Sequence, residues 1–102
     1  MIWSRDYTVE ELKGRPKGHI GDLIGIEFTE ITNDSISARM PVNEKTHQPY
    51  GILHGGASVV LAESLGSVAK FRLKFFSSLR KQGLCLFAYS SPVFCTIFLL
   101  EI

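Results

Sequence analysis

The chain has 102 residues, 45% of them hydrophobic and 21% charged, and a formal net charge of +1. That length predicts one domain, and so even a charge balance gives no reason to expect nucleic acid as a partner. The opening MIWSRDYTVE has no apolar core behind a basic start, which argues against a secretory signal. Cys85 and Cys95 match no metal or redox spacing, so they are expected to be reduced thiols in a cytoplasmic protein without a metal site.

The average conceals a break. Residues 1–69 carry six Lys/Arg and nine Asp/Glu, a net of −3, whereas residues 70–102 carry five basic residues and one acid, a net of +4. Six of the seven Phe and both Cys lie in that last third. The expected organisation is therefore 1–70 as one kind of sequence and 71–102 as a divergent, apolar and basic tail.

In chain order, Thr8 followed three residues on by Glu11 is a capping-box spacing and predicts a short helix, stopped by Gly14 and Pro16. A glycine-containing turn, KGHIGDLIG, should follow. IGIEFTEI then alternates, with Ile24, Ile26 and Phe28 on one face. After Asn33-Asp34, SISARM alternates again, with Ile36, Ala38 and Met40 inward and Ser35, Ser37 and Arg39 outward. The pair predicts a β-hairpin, ended by Pro41 and the polar loop VNEKTHQP.

From Gly55 the period becomes helical. Ala57, Val60, Leu61, Leu65 and Val68 form one stripe that should be buried. Glu63 and Ser67, four apart, stack on its flank, where a side chain is partly desolvated yet reachable. A bland reading exists for each polar residue: Gly55-Gly56 as a turn, His54 as a cap or packing residue, Glu63 and Ser67 as solvent-facing helix residues, Gln48 as a loop amide. The sharper reading is acyl transfer. That chemistry needs a group to activate an oxygen nucleophile and donors for a carbonyl oxygen becoming anionic. A helix N-terminus with glycines supplies unpaired N–H groups that a carbonyl can approach closely, and a carboxylate two turns on supplies the rest.

Taken together, MPVNEKTHQPYGILHGGASVVLAESLGSVA, residues 40–69, closely resembles the hotdog-fold acyl-CoA thioesterases. The shared elements are Gln-Pro-aromatic-Gly, then Leu-His-Gly-Gly, then Ala-Glu-Ser at that family's spacing. The resemblance is to the branch that hydrolyses aromatic acyl-CoAs, including the 1,4-dihydroxy-2-naphthoyl-CoA hydrolases of bacterial menaquinone synthesis. It covers about two-thirds of the chain, extending less strictly back to Met1.

The resemblance implies an α+β hotdog-type fold, an antiparallel sheet around a central helix, and hydrolysis of an acyl-CoA without metal or cofactor. It also implies that Glu63 is the catalytic carboxylate, as nucleophile or general base, and that the Gly55 N–H binds the thioester carbonyl. On the same analogy His54 and Gln48 hold the thioester group and Ser67 places the hydrolytic water, while Tyr50, Gly56 and Ser64 contact substrate. Sites built across a homodimer, commonly inside a homotetramer, are implied as well.

After Ala69 the resemblance stops. KFRLKFFSSLRKQGLCLFAYSSPVFCTIFLLEI shows no period-two series with the polar turns that a hotdog sheet requires. Yet four helix-stripe side chains, at about 1.5–3 kcal/mol each, need covering, and a two-stranded hairpin does not suffice. Three readings of the tail follow: the interrupted or frameshifted end of a thioesterase that leaves the sheet incomplete, a replacement that packs as strands, or a membrane segment over Leu84–Leu100. The corresponding alternatives to an active enzyme are an inactive remnant that self-associates and a protein anchored in a membrane through residues 84–102.

Overall fold

The computed structural model describes residues 3–14, 17–70 and 72, together with the backbone of 84–90 and 94–101. Two short helices, α1 (Val9–Lys13) and α2 (Ile20–Leu23), precede strands β1 (Glu27–Ile31) and β2 (Ser35–Pro41). The long helix α3 (Gly55–Lys70) follows, and then strands β3 (Leu84–Ser90) and β4 (Phe94–Glu101). All four strands form one antiparallel sheet in the order β1-β2-β4-β3. Helix α3 lies against β2 and β4, and α1 lies against β1.

The hairpin is where the alternation places it, and Ile36, Ala38 and Met40 are fully buried. They meet Leu61, Leu65, Val68 and Ala69 of α3 in a core that Trp3, Leu12 and Phe28 complete. Ala57 packs on the edge of that core and Val60 is half-buried, so the predicted stripe is centred one helical turn later than its first residues suggest.

Three details differ from expectation. The strand starts at Glu27, because residues 20–23 form a helical turn where a plain turn was predicted. That turn ends in a Schellman motif: Ile26 N–H donates to the Gly21 carbonyl (2.8 Å) and Gly25 N–H to that of Asp22 (3.3 Å). Gly25 takes the left-handed conformation the motif requires, with φ +80°.

The second difference is a bulge. Phe28 pairs with Ala38 and Glu30 with Ser37, so Thr29 has no partner of its own. In a regular ladder Phe28 and Ile31 would face opposite sides; the extra residue brings both to the core side. Third, Ser37 is buried rather than outward. It sits on an interior strand, paired with Glu30 on one side and Phe98 on the other.

The tail supplies two strands to the same sheet. Over Leu84–Leu100, where a membrane segment was one reading, residues 84–90 and 94–100 lie in two strands, and no helix among the described residues is long and apolar enough to cross a membrane. The N-terminal segment is pinned at both ends of the core. Trp3 Nε1 donates to the Thr32 carbonyl and the Ser4 N–H to that of Arg72 (2.8 Å).

Candidate active site

The loop leading into α3 is built on QPYG. Gly51 N–H donates to the Gln48 carbonyl at 3.0 Å, closing a four-residue turn with proline at its second position and glycine at its last. Gly51 has φ +78°. Below the turn, Gln48 N–H donates to the Ile52 carbonyl (2.9 Å) and His54 N–H to that of Thr46 (2.7 Å). Thr46 is buried, and its hydroxyl donates to the Pro41 carbonyl at 2.9 Å, anchoring the loop to the end of β2. Gln48 is thus half-buried at the base of the turn, and Tyr50 stands 87% exposed at its tip.

The first turn of α3 has four N–H groups without intrahelical partners to account for. Ala57 and Ser58 donate to the His54 carbonyl, at 3.0 and 3.4 Å. Gly56 donates to His54 Nδ1 at 2.8 Å, so the imidazole caps the helix. Gly55 N–H makes no hydrogen bond among the described residues, and a Cβ built on Gly55 would have nothing within 4 Å.

Two turns along the helix, Glu63 is exposed and accepts a 2.5 Å hydrogen bond from the Ser67 hydroxyl. Both residues, with Ser64, line a cavity of about 630 Å³ whose far walls come from α1, α2 and β1. Leu12, Ile26 and Phe28 make its apolar side; Lys13, Lys17, His19, Asp22 and Glu27 make its polar side. Glu27 is held below the usual carboxylate range, first by the hydrogen bond from the Lys13 ammonium and then by Arg39, with salt-bridge distances of 3.4 and 3.3 Å. Lys17 pairs with Asp22 at 3.6 Å. Among the described residues no group of three His, Cys, Asp or Glu is placed to hold a metal ion.

The predicted site residues thus fall into two groups. His54, Gly55, Gly56, Gln48 and Tyr50 gather at the N-terminal end of α3, while Glu63, Ser64 and Ser67 face the cavity. Gly55 and Glu63 are eight residues apart on one helix, about 12 Å along its axis. The cavity walls Leu12, Lys13, Lys17, His19, Ile26 and Phe28 carried no sequence signal as site residues. Only the packing of α1 and α2 beside α3 brings them there.

The chain is similar in sequence and in fold to known proteins. Over 70 residues, 69% of the chain, it is 53% identical to the esterase PA1618 of Pseudomonas aeruginosa. Over 71 residues it is 51% identical to the 1,4-dihydroxy-2-naphthoyl-CoA hydrolase of Escherichia coli and 49% identical to the proofreading thioesterase EntH of Cronobacter turicensis. The crystal structure of a mutant thioesterase PA1618 matches over 99% of both chains, with a TM-score of 0.69 and 28% identity.

The chain is a hotdog thioesterase homologue.

The thioesterase HI1161 of Haemophilus influenzae shares the same fold, with a TM-score of 0.68 over 100% of this chain and 95% of its own at 24% identity. No family model matches the chain. The chain spans about half the length of the curated hotdog relatives it matches, 48% of the first and 52% of the other two. The match in sequence covers about 70% of the chain and the match in shape nearly all of it.

Proposed function

We propose that the chain hydrolyses acyl-CoA thioesters, with Glu63 as nucleophile or general base and Gly55 N–H as donor to the thioester carbonyl. The observation that carries this reading is the state of those two groups. On one helix stand an N–H with no hydrogen bond among the described residues and a carboxylate held by Ser67 beside an apolar-walled cavity. The acyl group enters the cavity against Leu12, Ile26 and Phe28; an aromatic acid suits those walls and agrees with the name of the E. coli relative. Ser67 holds the carboxylate and its attacking water in line. Gln48 is assigned to the thioester, and Tyr50 to the coenzyme side of the entrance.

One thioester carbon cannot lie within bonding reach of Gly55 and Glu63 of the same helix at that spacing. The helix itself suggests the remedy. Gly55, Val59, Glu63 and Ser67 recur every four residues along one side, and Val59 in their middle is 65% exposed. Two copies of α3 packed antiparallel about Val59 set Gly55 of one opposite Glu63 of the other, in the self-complementary manner of a two-fold interface. The protein then works as a homodimer or a multiple of one. The cytoplasm, with its reduced thiols and acyl-CoA, is the compartment we assign.

Thiol release from benzoyl-CoA by the purified 102-residue chain tests the reaction, beside Glu63→Ala and Gly55→Pro. Proline is tolerated at the first helical position and has no N–H to give, so Gly55→Pro should cost about 10²–10³ in kcat and leave the fold intact. Refolding an equimolar mixture of the two variants tests the shared site. A mixed dimer rebuilds one intact site of two, so about a quarter of wild-type activity should return. No return with an active wild type places the site within one subunit. No thiol release by the wild type itself leaves a self-associating remnant as the function.

A further inference from the structure

We propose that His54 is a positioning residue: its unprotonated Nδ1 takes the Gly56 N–H out of play and so leaves Gly55 as the single outward donor of the helix. This rests on the reading above, in which Gly55 N–H receives the thioester carbonyl. Each first-turn donor of α3 has an assigned partner except that one, since Ala57 and Ser58 go to the His54 carbonyl and Gly56 to its ring. His54 itself is fixed from behind by its own N–H on the Thr46 carbonyl at 2.7 Å. One residue therefore serves three of the four donors, and its orientation sets the direction of the fourth.

The two glycines then have different reasons to be glycine. A Cβ on Gly55 would meet nothing within 4 Å, which leaves that side open to a ligand. A Cβ on Gly56 would lie 2.9 Å from both Cε1 and Nδ1 of His54, closer than real contacts allow. Gly56 is small to admit the imidazole, not the substrate. The same hydrogen bond fixes the tautomer: with Nδ1 accepting, the neutral ring carries its proton on Nε2. Asparagine, whose side-chain oxygen caps in the same manner, can replace the cap but not an imidazole acting on the thioester.

Four variants of the full chain separate these roles: His54→Ala, His54→Asn, Gly56→Ala and the double variant His54→Ala/Gly56→Ala. His54→Ala should lower kcat about tenfold to a hundredfold through misdirection of the Gly55 donor, with little change in KM. His54→Asn should recover most of that loss. Gly56→Ala should push the ring aside and cost a similar factor alone, yet add nothing in the His54→Ala background. Equal losses in His54→Asn and His54→Ala, or losses that multiply in the double variant, would mean that His54 or Gly56 meets the substrate directly, and the proposal falls.

A readout without turnover keeps the two readings apart. Nitrogen NMR of the neutral imidazole should show Nδ1 unprotonated and Nε2 protonated, with the Gly56 amide exchanging more slowly than that of Gly55. The opposite tautomer, or equal exchange, overturns the inference even in an active enzyme. The expected spectrum in a chain that releases no thiol upholds the cap while the hydrolase reading fails.

Discussion

Substituting Gly25 by alanine should destabilise the protein more than any other glycine-to-alanine change among the described residues outside the helix N-terminus, and the structure sets the size. Gly25 has φ +80°, a conformation that costs an ordinary residue about 1–2 kcal/mol. A Cβ there would also lie 2.9 Å from Cδ and 3.0 Å from Cγ of Pro41. Those atoms belong to a rigid ring at the end of β2 and cannot swing away, so overpacking adds about 1–3 kcal/mol. The sum, about 2–5 kcal/mol, is a large share of the total stability of a domain this size.

Gly18 is the control, because its φ of +89° imposes the dihedral cost with nothing within 4 Å. Thermal unfolding followed by fluorescence of Trp3, the sole tryptophan and only 2% exposed, measures both variants. At about 4–8 °C per kcal/mol for a chain of this length, Gly25→Ala should lower Tm by at least about 8 °C. Equal destabilisation of Gly18→Ala and Gly25→Ala would show that the Pro41 contact relaxes freely and would refute the steric part of the reasoning.

Other consequences are as concrete. Ser67→Ala removes the 2.5 Å donor to Glu63; a hydrogen bond to a charged group is worth about 1.5–3 kcal/mol, so kcat should fall roughly tenfold to a hundredfold in the thiol-release assay. Trp3→Phe deprives the Thr32 carbonyl of its donor and should cost about 1–3 kcal/mol by urea unfolding read from circular dichroism. Glu27, held below its ordinary value first by Lys13 and then by Arg39, contributes stability that is present above the unfolded-state value and lost as pH falls through the folded one. Glu27→Gln should therefore be less stable than wild type near neutrality, with the gap closing in acid; a constant gap between about pH 6 and pH 3 would refute the assignment.

Local patterns made much of this fold legible. Thr8 does accept the Glu11 N–H, at 3.3 Å. The alternation of Ile36, Ala38 and Met40 and the helical stripe through Leu61, Leu65 and Val68 mark the core. The thioesterase resemblance of residues 40–69 is borne out by relatives and by fold.

What escaped was decided by partners far away in sequence. Thr29 is a bulge only because Ser37 and Ala38 oppose its neighbours, and Ser37 is buried only because β2 has strands on both sides. The indole of Trp3 needs Thr32, and the cavity needs α1 and α2 to lie beside α3. The strands of the tail were only one of three readings, because their sequence carries no polar–apolar alternation to mark them. LCLFAY and VFCTIFLL therefore look like unbroken apolar runs. Gly-Gly was legible as a special backbone site, but the separate duties of Gly55 and Gly56 depend on where one imidazole ring lies.

The strand order carries a kinetic consequence. Strand β4 lies between β2 and β3, pairing Ser35 with Leu100 and Pro41 with Phe94 across more than fifty residues. Closing so long a loop costs about 2 kcal/mol more than closing the β1–β2 hairpin, before any contact compensates. The hairpin can therefore form early and locally, but β3 has no place in the sheet until β4 has found β2. That single long-range encounter should set the folding rate, and it leaves the open edge of β2 as the surface most exposed to mispairing while the search lasts.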